Sequence, residues 1–205
     1  MKCLVVVAHP DDETIWIGGL ILRNPEWDWH IISLCRADDA DRAPRFHRAA
    51  IEFGATASMS DLDDSPTLAT LSPDLREIKT RLSSLAPTDA DMIFTHGENG
   101  EYTRHLRHEQ AHLAVRDMVD SGNINGELLF FDYVDCSGQC LPRPASDADI
   151  VVKLTDYEFA KKRSIIADIY GFGPGSIEFE ACGPVEAFRV HPKIGQAQKL
   201  IQRLK

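Results

Sequence analysis

Residues 8–13 read "AHPDDE": one imidazole, one proline and three consecutive carboxylates, directly after the apolar run Leu4, Val5, Val6 and Val7. Adjacent carboxylates repel each other, and folding alone gives no reason to place three at the end of a buried strand. A cation gives one. His9 and Asp12 offer a borderline nitrogen and a hard oxygen, a pairing that suits zinc. A catalytic zinc site needs one more protein ligand and an open position. Residues 105–112, "HLRHEQAH", supply His105, His108 and His112 at i, i+3 and i+7 of an expected helix. His105 and His108, in its first turn, should face the edge where His9 emerges. His112 lies a full turn deeper and is expected not to be a ligand. A divalent ion held there would make water nucleophilic near neutral pH. Each motif alone has a plainer reading: Asp11 or Asp12 as a helix cap, His9 as a hydrogen-bonded histidine, the three histidines as a polar helix face. Their coincidence on one edge favours the metal.

The elements that must position these residues alternate. Strands are expected at Lys2–Ala8, Trp29–Cys35, 57–62, Met92–Thr95, Leu128–Val134 and Ile150–Leu154. Helices are expected at Glu13–Leu22, at Pro44–Phe53, and from Ser72-Pro73-Asp74 to about Leu85. Three more follow at Arg104–Val119, Asp156–Tyr170 and Ile194–Leu204. The pattern predicts one α/β domain over residues 1–205, a three-layer Rossmann-like fold with a mostly parallel sheet flanked by helices. Ligands of such sheets bind beyond the carboxyl ends of the strands. Both "AHPDDE" and the loop "HGENGEYTRHLRH" follow apolar strands and so emerge on that edge.

"AHPDDE" after an N-terminal strand, with the later H-x-x-H of "RHLRH", resembles the LmbE-like or PIG-L superfamily of zinc-dependent N-acetylglucosaminyl deacetylases. That superfamily includes the deacetylases of phosphatidylinositol glycan, mycothiol and bacillithiol synthesis. The likeness extends through "RFHRAAIEFGA" and reaches "VEAFRV". Two departures stand out. Many members carry an acid where this chain has Arg107, and their late His-containing motif is replaced here by "IADIYGFGPG". The resemblance implies that His9, Asp12 and His108 bind zinc, that Asp11 is the general base and that a charged His105 is the second catalytic group. It also suggests Arg42 as a substrate contact. Asn99, with Glu98 beside it, is a candidate for hydrogen bonds to sugar hydroxyls. Glu13 is expected to be structural and His96 to stand behind the ligands.

The implied activity is removal of the acetyl group from an N-acetylated amino sugar or a GlcNAc-type glycoside. A zinc hydratase or amidase acting on a non-sugar substrate is the alternative, with a non-catalytic binding protein as a further one. Two histidines and a carboxylate would also accept ferrous iron. The formal net charge of -10 argues against nucleic acid as a partner. The chain has no apolar run long enough for a membrane span, and a cytoplasmic location is expected. A homo-oligomer is left open. Cys3 and Cys35 are expected as buried thiols, and Cys136 and Cys140 as reduced loop thiols. "GFGPG" at 171–175 follows a helix rather than a strand and is expected to be a helix stop, not a phosphate loop.

Overall fold

The computed structural model describes residues 1–65 and 75–191. β1 (Lys2–Val7), β2 (Asp28–Cys35), β3 (Thr56–Leu62), β4 (Asp89–Thr95) and β5 (Asn125–Phe131) are parallel. β6 (Ile150–Lys153) and β7 (Val185–Val190) extend the sheet, with β7 antiparallel to both β5 and β6. The order across the sheet is β3-β2-β1-β4-β5-β7-β6. Helices cover both faces, giving the expected three-layer, mostly parallel α/β architecture.

β1 shows why its sequence is a continuous apolar run. Successive side chains point to opposite faces, and here both faces are buried. Leu4 and Val6 join the layer of α3 (Leu75–Leu85) and α4 (Leu106–Asp120). Val5 and Val7 pack with α1 (Asp12–Arg23), α2 (Arg42–Phe53) and the π-helical turn Ile165–Tyr170 that continues α5 (Asp156–Ser164). The short α6 (Ile177–Ala181) closes the same side.

α1 is buried from Asp12 to Ile21 and is tied to the far end of the chain. The amides of Gly19 and Leu20 donate to the two carboxylate oxygens of Glu186 on β7, at 2.7 and 2.8 Å. Lys162 Nζ on α5 donates to the same carboxylate at 2.8 Å, and both partners of this ion pair are wholly buried. A Cβ at Gly19 would meet the Leu154 side chain, which would have to shift.

Several expectations need correction. His105 is not on the helix. It is the N-cap of α4, with extended φ −137° and ψ 115°, and its carbonyl accepts the first amide, from Glu109, at 3.0 Å. The expected helix at 156–170 changes to π-helical geometry from Ile165 and stops at Gly171, whose φ is +84°. β7 coincides with "VEAFRV" but was not anticipated as a strand. Cys136 and Cys140 form a disulfide, because the turn through Ser137 and Gly138, both at positive φ, brings their Cα atoms to 5.9 Å. Cys3 and Cys35 are buried free thiols, as expected. The helix start at Ser72-Pro73-Asp74 and the helix at Ile194–Leu204 lie outside the described residues. Among those described, no helix is long and apolar enough to cross a membrane.

Candidate metal centre and active site

β1 and β4 are neighbours from which the chain departs in opposite directions, to β2 on one side and β5 on the other. The crevice at their carboxyl ends is where such a sheet takes a ligand. Both candidate motifs start there. The Ala8 amide donates to His96 Nε2 at 2.9 Å, joining the exits of β1 and β4. The His9 amide donates to Asp12 Oδ2 at 2.8 Å and tightens the turn. Asp11 has φ 113°, a conformation costly for a residue with a Cβ. Glu13 holds it there. Its Oε2 accepts from the Asp11 amide at 3.1 Å, and its Oε1 accepts from the hydroxyls of Thr14 at 2.6 Å and Tyr170 at 2.7 Å. Burial raises Glu13 to about 7. The third acid thus braces the turn.

His9, Asp12 and His108, the three expected ligands, come together. His9 Nδ1 lies 3.3 Å from Asp12 Oδ2 and 3.3 Å from His108 Nε2, and the third side of the triangle is 3.4 Å. Three corners of a tetrahedron about an ion bound at about 2.0–2.2 Å are roughly 3.3–3.6 Å apart. Facial octahedral corners at similar distances would be about 3.0 Å apart. The hydrogen bonding behind the triangle fits the same purpose. Trp16 Nε1 donates to Asp12 Oδ1 at 3.1 Å, leaving Oδ2 to face the histidines. Glu101 receives His108 Nδ1 on Oε2 at 2.6 Å and His96 Nδ1 on Oε1 at 2.8 Å. In the neutral ring, His108 Nε2 is then a lone pair aimed into the triangle, and His96 Nε2 is occupied by the Ala8 amide. A buried cluster of facing acceptors suits a cation, and these residues could hold one.

Beside the triangle is a cavity of about 250 Å³. Asp11, Arg42 and His105 line it, with Ile15, Trp16 and Tyr102 as an apolar wall. Arg42 Nη1 is 3.0 Å from Asp11 Oδ2 and its guanidinium lies over the Phe172 ring, 4.6 Å from the centroid. Burial, and next the charge of Asp12, raise the Asp11 carboxyl well above the usual range, against the pull of Arg42. Burial, followed by His108 and His9, lowers His105 to about 4, which disfavours its charged form. Its Nδ1 is buried with no partner among the described residues.

Not every candidate belongs here. Asn99 and Glu98 are exposed and do not line the cavity. The loop folds back instead at Gly100, where φ is +74° and a Cβ would strike the Thr103 carbonyl. That reversal carries Glu101 inward and leaves 98 and 99 on the outside. Glu101 was missed although it lies in the quoted loop, since nothing in its spacing marks the fold-back. Asp64 was also missed. Its Oδ1 is 3.2 Å from His9 Nε2, outside hydrogen-bond alignment, and its Oδ2 pairs with Arg36 at 3.0 Å. Arg107, in the place of the resemblance's acid, bonds Gln110 and the Asp63 carbonyl and so braces that segment. His112 is held away from the triangle by its Nδ1 contact with the His96 carbonyl at 2.9 Å. His191 pairs with Asp120 at 2.9 Å.

Solved structures share this architecture. A 4-carboxy-2-hydroxymuconate hydratase, GalB, from Pseudomonas putida superposes with a TM-score of 0.64 at 18% identity, over 95% of this chain and 98% of that one. The conserved protein TT1542 from Thermus thermophilus gives 0.64 at 19%, over 95% and 97%. An N,N'-diacetylchitobiose deacetylase from Pyrococcus horikoshii gives 0.65 at 15%, over 93% and 84%. At such identities these likenesses establish the fold. No curated protein matches in sequence. Residues 4–119, which carry both motifs, match the family described as GlcNAc-PI de-N-acetylase, and the chain belongs to this PIG-L family.

Proposed function

We propose that this protein is a metal-dependent N-deacetylase that releases acetate from an N-acetylated amino sugar or a glycoside carrying one, with zinc as its ion. The observation that carries this reading is the near-equilateral triangle of His9 Nδ1, Asp12 Oδ2 and His108 Nε2, with the Asp11 carboxylate on the wall of the adjoining cavity. A bound divalent ion would supply Lewis acidity to the acetamide carbonyl and to water.

The chain's own residues do the rest. Asp11, its Oδ2 held by Arg42, accepts the proton of the attacking water at Oδ1. The C–N bond then breaks, and the same proton passes from Asp11 to the departing nitrogen. The products are acetate and a free amine. His105 offers its unpartnered Nδ1 to the acetamide. Trp16, Tyr102 and Ile15 exclude water from one side of the reacting group. Family membership supports the reaction class. The substrate is a small molecule; the net charge of -10 argues against nucleic acid.

A second reading, hydration of a non-sugar substrate, is favoured by the likeness to a structure named as a hydratase. One experiment separates the two. Metal-replete protein is offered a panel of N-acetylated sugars and glycosides, with acetate and free amine measured together. Equimolar release of both is expected. Water addition to an unsaturated acid with no acetate from any acetamide would overturn the deacetylase reading.

A further inference from the structure

Charges around the cavity are almost all compensated. Asp11 pairs with Arg42 and Asp64 with Arg36, each at 3.0 Å. Asp12 and Glu101 serve the triangle, and the two charges of a divalent ion would offset theirs. The remaining lining carboxylate is Glu178. It is half-buried and has no hydrogen bond or ion pair among the described residues, whereas Glu180 beside it pairs with Arg163 at 3.3 Å. Glu178 lies on α6, which also brings Ile177 and Ala181 to the cavity. Its charge is felt across the cavity: burial, and next Glu178, raise the Tyr102 phenol. A lone carboxylate between apolar side chains has given up part of its hydration without a protein partner in return.

We propose that Glu178 is a specificity-determining residue that recognises a second, unacetylated ammonium group, so that the preferred substrate is a partly N-acetylated diamine such as a diamino sugar. This rests on the deacetylase reading above for the acetamide, and on Glu178 alone for the cation. A hydroxyl in the same place would satisfy one carboxylate oxygen but leave the surplus charge. A carboxylate there would be repelled. Half exposure limits the gain, and about tenfold in affinity is expected from one charge-assisted contact of this kind.

The test uses three acetamides that differ at one position, bearing a free amine, a hydroxyl or a carboxylate. Acetate-release kcat/KM and calorimetric Kd are measured on zinc-loaded wild type, Glu178→Gln and Glu178→Lys, with folding checked by thermal melts. Wild type should favour the amine about tenfold over the hydroxyl, and the ratio should narrow with added salt. Glu178→Gln should bring it to about one, and Glu178→Lys should turn the preference toward the carboxylate. Equal Kd for amine and hydroxyl in wild type, or a preference that survives in both variants, overturns the proposal. If no compound releases acetate, the deacetylase reading fails while the Kd comparison still decides the role of Glu178.

Discussion

Oδ2 of Asp11 rests 3.0 Å from Nη1 of Arg42, and Arg42 is itself held against the face of Phe172. One carboxylate oxygen is thereby fixed and the other left to the cavity. Asp11→Asn should keep its metal and lose about 10²–10⁴ in turnover, the usual cost of a general base. Arg42→Ala leaves the base but frees its rotation, and should lose roughly 10–10². Metal content and acetate release, measured side by side, check both. Loss of metal in Asp11→Asn would instead place Asp11 among the ligands.

The triangle predicts an order among the metal-site variants. Asp12→Asn and His108→Ala should lose most of their metal, because a neutral amide or a methyl cannot offset or coordinate the ion. His112→Ala should retain it, since His112 is occupied with the His96 carbonyl. Activity should disappear with the metal under a strong chelator and return when it is restored. Metal lost from His112→Ala and kept by His108→Ala would mean that the wrong histidine pair has been chosen.

Glu101 provides a test of the ligand support. Glu101→Gln keeps the size of the side chain but cannot accept from both His108 and His96 in the same way. Metal affinity should fall about 10–100-fold, read by competition with a chromophoric chelator. Asn99→Ala, outside the cavity, should stay within about twofold of wild type. Unchanged affinity in Glu101→Gln would reduce that residue to packing.

The sequence made some of this plain and hid the rest for definable reasons. β1 and "AHPDDE" were legible because strand, turn and ligands are contiguous and the needed chemistry falls within six residues. His108 was legible through H-x-x-H, although His105 reaches the site as an N-cap rather than from a helical face. Glu101 and Asp64 were hidden because their partners depend on loop reversals with no periodic signature. Asn99 was misplaced for the same reason, by the turn at Gly100. The antiparallel β7 escaped because its pairing with β5 and β6 is a long-range choice that local pattern does not encode.

The buried thiols give a prediction independent of the active site. Burial raises Cys3, Cys35 and Cys182 to about 12, so at pH 8 roughly one in 10⁴ of each would be thiolate. Native protein should take up almost no alkylating reagent. Mild reduction should expose two sites, Cys136 and Cys140, and denaturation all five. Mass spectrometry counts the labels; rapid native labelling at Cys182 would contradict its burial.

Lys162 and Glu186 should show the behaviour of a sealed ion pair. Lys162→Met strands a carboxylate in the interior and should cost about 3–5 kcal/mol in denaturant unfolding. Adding Glu186→Gln should cost less than the two single changes summed, because the stranded charge is then gone. Strict additivity would show that the two groups do not depend on each other.

That same carboxylate has a bearing on how the chain can be divided. Residues 4–119 carry the family match and every expected metal ligand, which invites treating them as a portable module. Glu186 nevertheless grips the middle of α1, the helix that begins with Asp12. Tyr170 steadies Glu13, and through it the strained Asp11. The half that carries the candidate site thus borrows its rigidity from the half that lies outside the family match. Exchanging the later segment between relatives to change substrate preference would also disturb metal retention, unless the Glu186–Lys162 and Tyr170–Glu13 anchors travel with the graft.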